Sequence, residues 1–253
     1  MRRKDTYPAQ GKWAVGLLDH VKHFYTRYDE YHDAISTMAV LGQLHGGVVP
    51  SGYPRTSGEP LILETGANAS GTNWIVFRDA ITNQNVRNVY YFGHGAPDYI
   101  GDTYNGLGSL YLSILLNNQA ASTNNHRFRF VWLDGCETAS AKWANAFGLG
   151  TRENVPLSDY TVRPGVFMGS VNKFVIASAI VDGAGNVVAG SCKQDMYLFR
   201  SEFAFWWGIN GQPVSEAITS AKRFSNWSEF QYLKLWGYGN MHVDEFNQKF
   251  DWP

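Results

Sequence analysis

An α/β fold, with a mostly parallel sheet and helices on both faces, is predicted by three observations. Two runs rich in β-formers, residues 86–92 and 128–133, end abruptly in polar, glycine-containing turns, Gly93-His94-Gly95 and Asp134-Gly135-Cys136. Helix-length stretches whose apolar residues recur at steps of three and four separate such runs. Finally, 44% of the 253 residues are hydrophobic and 17% charged, the balance of a chain that folds around a sizeable core. With 26 Gly and 9 Trp, many turns and a bulky aromatic core are expected.

Taken in order, residues 13–18 form a short apolar run and read as a strand. Val21, Phe24, Tyr25, Tyr28, His32, Ile35, Met38 and Ala39 then follow helical spacing. Residues 46–60, rich in Gly, Pro and Ser, are a loop. Residues 61–63 read as a strand, and Trp74, Phe77 and Ile81 as a helix with Thr72 at its N-cap. After the strand over 86–92, Leu107, Leu110, Tyr111, Ile114 and Leu115 predict a helix; after the strand over 128–133, Ala139, Trp143, Ala146 and Phe147 predict a short one. Residues 166–169 form a short strand, and 174–181 with 186–189 a hairpin around Asp182-Gly183-Ala184-Gly185. Helices over 196–207 and from Val214 to Arg223 follow. Pro213 stands near the first turn of the second, where a missing N–H costs little. A strand over 232–236 closes the series.

Charge and cysteine content exclude several classes. The 21 Lys and Arg against 22 Asp and Glu leave a net charge of −1, so bulk electrostatics favours neither nucleic acid nor an anionic membrane as partner. Two cysteines make neither a disulfide framework nor a four-thiolate zinc site, and no cofactor or metal is expected. No apolar run reaches the roughly 20 residues that span a bilayer. The basic start, Met1-Arg2-Arg3-Lys4, lacks the apolar stretch of a secretory signal, which favours a cytoplasmic location.

Open α/β sheets place ligands at the carboxyl ends of adjacent strands, which makes the two glycine-containing turns the candidate site. A nucleophilic thiol needs a base or charge partner, because the thiolate is the reactive form. One helix-length crossover lies between His94 and Cys136, so their strands are expected to be neighbours that deliver both side chains to one rim. Gly95 leaves room beside the imidazole and offers an N–H to a substrate oxygen. Gly135 lets the chain turn tightly before the cysteine.

The segments Tyr90-Tyr91-Phe92-Gly93-His94-Gly95 and Phe130-Val131-Trp132-Leu133-Asp134-Gly135-Cys136-Glu137-Thr138-Ala139 resemble the two catalytic blocks of the caspase-like, clan CD cysteine peptidases. Cys-Glu-Thr-Ala is similar to the CHAT branch, and an Asp two places before the Cys to metacaspases. Val166-Phe167-Met168-Gly169-Ser170 resembles the strand that follows, and Phe203, Trp206 and Trp207 with Gly211-Gln212-Pro213-Val214-Ser215-Glu216-Ala217 resemble the late helix pair of CHAT and gingipain-like domains. The resemblance is strongest over residues 61–247 and weakest over 1–60, within a single domain spanning 1–253. It implies a three-layer sandwich with a mostly parallel six-stranded sheet. It further implies that Cys136 attacks the scissile carbonyl, that His94 protonates the leaving amine, and that the backbone N–H groups of Gly95 and Cys136 form the oxyanion hole, a device worth about 3–4 kcal/mol per donor elsewhere. Asp134 lies where acidic members hold the residue before the scissile bond, which implies Arg or Lys there. The expected partner is a peptide or protein substrate, with a regulatory partner or a larger parent protein in addition.

Blander roles compete with these. Glu137 either assists His94 or caps the helix that follows, where an acid suits the dipole; the cap is favoured. Asp98 reads as a loop acid, the 206–207 Trp pair as core, and Cys192 as structural. His20, His23, His32, His45, His126 and His242 lack the company that metal binding or catalysis needs. Two other functions remain open: an inactive interaction or scaffold domain of the same fold, and a cysteine-dependent hydrolase of non-peptide amides or esters.

Overall fold

The structure is a computed structural model that describes residues 12–18, 61–65, 86–92, 95–101, 109–111, 128–155, 165–173, 178–181, 187–191, 193–225 and 231–241. The helices expected around Val21–Ala39 and Trp74–Ile81, the loop over 46–60, His94 and Cys192 lie outside the described residues. The strands are β1 (Lys12–Leu18), β2 (Leu61–Thr65), β3 (Val86–Phe92), β4 (Tyr99–Gly101), β5 (Ser109–Tyr111), β6 (Phe130–Asp134), β7 (Val166–Ser170), β8 (Ser178–Val181), β9 (Val187–Ser191) and β10 (Leu233–Gly237). The helices are α1 (Ala141–Ala146), α2 (Lys193–Ala204) and α3 (Val214–Phe224).

The expected mixed α/β architecture is present, with a mostly parallel open sheet. Four of its strands run β10-β7-β6-β3; β3, β6 and β7 are parallel, and β10 joins the edge antiparallel. Beyond β3, β1 pairs parallel with it, placing Ala14 opposite Val89. Consecutive rather than alternate residues are buried along β6 and β7. Such unbroken burial is the mark of a parallel strand covered on both faces, and it explains the continuous apolar runs in the sequence.

The aromatic side chains divide between those faces. Phe130 stacks on Trp207 with centroids 4.6 Å apart, and Trp132 meets Phe203 edge-on at 5.4 Å, so α2 and its continuation cover one face of β6. On neighbouring β7, Phe167 packs against Phe147 just after α1 at 6.3 Å and against Trp236 of β10 at 5.8 Å. Trp207 is fully buried, as expected of core, whereas Trp206 is partly exposed and donates its indole N–H to Glu202 at 2.9 Å. After Ala204 the helix widens into a π-helical turn, Phe205–Ile209, which Asn210 closes by donating to the Phe205 carbonyl at 2.9 Å. Helix α3 starts directly after Pro213. Its first N–H groups, from Val214 and Ser215, find the carbonyls of Met241 and Gly239, so two of the donors that a helix start leaves orphaned are satisfied.

One element differs from expectation. Leu110 and Tyr111 belong to β5, whose Leu110 lies opposite Ile100 of β4, and not to a helix. Steps of three and four over so short a stretch do not separate the two states. Pairing with the neighbouring strand β4 decides the outcome. The hairpin expected after residue 174 is present as β8 and β9.

Candidate active site

The parallel pairing of β3 with β6 builds the site. Tyr90 lies opposite Trp132 and Phe92 opposite Asp134, so the two strands end level with one another. Cys136 stands two residues past the end of β6, and His94 two residues past the end of β3. The chain beyond β3 turns back at once: Ala96 donates to the Tyr99 carbonyl at 2.9 Å, and Gly95 bridges Ile100.

This loop is fastened to the one that carries the cysteine. Ser140 Oγ donates to the Pro97 carbonyl at 3.0 Å, and the indole N–H of Trp143 donates to the Ala96 carbonyl at 3.0 Å. Gly95 lies directly on the Cys136 turn. A Cβ at position 95 would stand 2.5 Å from Thr138 Cγ2 and 2.7 Å from the Cys136 carbonyl oxygen. The need for glycine is therefore close approach of two backbones. Gly95→Ala is expected to lower stability by about 1–3 kcal/mol, the usual cost of overpacking, read as a lower urea midpoint with an unchanged slope.

Beyond β6 the chain turns at Gly135, whose N–H donates to the Leu133 carbonyl at 3.0 Å. Glu137 adopts a φ of 54°, in the left-handed region. Its N–H donates to Asn172 just past β7, and that of Ala139 to Ser170 at the end of β7. Gly169 permits this approach, since a Cβ there would lie 2.8 Å from the Ala139 nitrogen. Glu137 does not cap α1. Ser140 does, accepting from the Trp143 N–H at 3.3 Å, because the intervening turn sets the helix start three residues later. Asp98 is an exposed loop acid.

Cys136 is partly exposed and outside any disulfide. Asp134 is 2% exposed. The extended geometry that would aim both residues at one cleft ends with β6, because the chain turns at Gly135. Asp134 Oδ2 accepts from Arg200 Nε at 2.5 Å and from the Tyr90 hydroxyl at 3.1 Å. The carboxylate thus holds a guanidinium, as expected of it, but the guanidinium belongs to the chain itself. A substrate Arg or Lys would have to displace Arg200 from a buried ion pair. Burial pushes the Asp134 carboxyl up, while Arg200 and then Tyr90 pull it down. Burial also pushes the Tyr90 hydroxyl well above its ordinary value, with the Asp134 charge adding to the effect.

Arg200 was not singled out from the sequence. The signal is a charged residue between Phe199 and Phe203, on a stripe that faces β6. Thr138, fully buried within the turn, was equally inconspicuous. Among the described residues, no cluster of His, Cys, Asp and Glu is arranged to hold a metal ion, and no helix is long and apolar enough to cross a membrane. No protein-family model matches the chain, and no curated protein matches it.

Proposed function

We propose that this protein is a cysteine endopeptidase in which Cys136 is the nucleophile and His94 its proton partner. The observation that carries the reading is the level ending of the adjacent parallel strands β3 and β6, with Gly95 packed against the Cys136 peptide. A partly exposed cysteine on a turn fastened from three sides fits a nucleophile better than it fits an inert core residue. The finer fold belongs to the same proposal: a three-layer, caspase-like sandwich whose sheet continues through β1 and β2 to six strands.

In this mechanism the Cys136 sulfur adds to the scissile carbonyl. The oxyanion is held by the Gly95 and Cys136 N–H groups, His94 gives a proton to the departing amine, and water then hydrolyses the thioester. The preference for Arg or Lys is not carried by Asp134, whose charge is spent on Arg200.

Incubation with a diverse peptide library, read by mass spectrometry, tests the proposal. The expected result is cleavage at a restricted set of bonds, together with covalent capture of Cys136 by an electrophilic analogue of the best-cleaved peptide. A folded protein that cleaves nothing and leaves Cys136 unlabelled would favour the scaffold reading. Turnover of esters alone would favour the non-peptide hydrolase.

A further inference from the structure

The Cys136 turn closes around one buried hydroxyl. Thr138 is 0% exposed, so its oxygen has only protein partners. Its single proton is shared between the Leu133 carbonyl at 2.6 Å and the Gly135 carbonyl at 2.9 Å, and the oxygen accepts from the Ser170 N–H at 3.2 Å. A hydroxyl has one proton and two lone pairs, and this one uses both capacities. The oxygen joins the end of β6, the residue before Cys136 and the end of β7, so Cys136 lies inside the ring closed between Leu133 and Thr138. The Thr138 methyl points the other way, to where a Cβ on Gly95 would stand 2.5 Å from Cγ2. One side chain therefore touches both loops of the candidate site.

We propose that Thr138 is a positioning residue for Cys136 through its hydroxyl, which holds the nucleophile's turn, while its methyl only packs against the Gly95 loop. The inference rests on the cysteine-hydrolase reading. Two substitutions separate the hydroxyl from the methyl. Thr138→Val keeps the shape and loses the hydroxyl, a change that is not conservative for a buried, bonded group. Thr138→Ser keeps the hydroxyl and loses the methyl.

The test uses the peptide that the wild type cleaves best. Circular dichroism verifies that each variant is folded at the assay temperature. Thr138→Val is expected to lower kcat by about 10–100-fold, the scale of a nucleophile displaced by about 1 Å, with KM nearly unchanged. Thr138→Ser is expected to keep kcat within about threefold. If folded Thr138→Val retains the wild-type kcat, or Thr138→Ser loses as much as Thr138→Val, the inference is overturned while the peptidase reading stands. If the wild type neither cleaves peptides nor is captured at Cys136, the reading fails and takes this inference with it.

Discussion

Cys136→Ala is expected to lower peptide hydrolysis at least about a thousandfold, because the attacking atom is removed. His94→Ala is expected to cost nearly as much. Their combination should cost little more than either alone, since residues that act as a unit are strongly non-additive. Cys136 is partly exposed and lies outside the buried core, so the Cys136 variant should unfold within about 1 kcal/mol of wild type. Cys192→Ala serves as the control and should leave turnover unchanged. Matched kinetics and denaturant melts on wild type and the four variants decide the matter. Undiminished hydrolysis by Cys136→Ala would falsify the dyad.

Arg200→Met is expected to destabilise the fold by about 3–5 kcal/mol, the cost of leaving one member of a buried ion pair uncompensated. Asp134 and Arg200 are both nearly inaccessible to water, and the Tyr90 hydroxyl donates to the same carboxylate oxygen. Removing the guanidinium leaves the carboxylate in a dry site with one neutral donor. Asp134→Asn combined with Arg200→Met removes both charges and should recover part of the loss. Had Asp134 been a substrate-binding carboxylate, Arg200→Met would have left stability alone and shifted the preference for basic peptides.

The pH dependence has a definite sign. Asp134's folded pKa lies above its ordinary value because burial outweighs Arg200 and Tyr90. A group raised in this way contributes stability that is fully present below about pH 4 and is lost as pH rises through the folded value. Without Arg200 the folded value rises further, which widens the pH range over which stability is lost. The difference between wild type and Arg200→Met should therefore shrink as pH falls, because protonation removes the charge that Arg200 compensates. Urea melts at pH 4, 5.5 and 7 measure this. A difference that is constant across the range would mean that the ion pair is not what the substitution removes.

The sequence by itself determined the two strands that carry the candidate site, β3 and β6, and to within a residue or two where they stop. Runs such as Val-Arg-Asn-Val-Tyr-Tyr-Phe and Phe-Val-Trp-Leu-Asp combine β-branched and aromatic residues with a glycine-containing turn, and both signals are local. The parallel arrangement was also legible, because helix-length segments separate the strands and give room for the crossovers that parallel pairing needs. Only the tertiary structure decided the fate of residues whose local pattern is ambiguous. Ser109–Tyr111 became a strand because Tyr99–Gly101 was there to pair with it. Ser140, not Glu137, became the cap because backbone bonds to Asn172 and Ser170 delay the helix. Asp134 became an internal ion pair because α2 lays Arg200 over the end of β6, bringing together partners 66 positions apart. Propensity and periodicity act over a few residues. A charge buried by packing is assigned its partner by whatever element the fold brings against it, and no local pattern names that element.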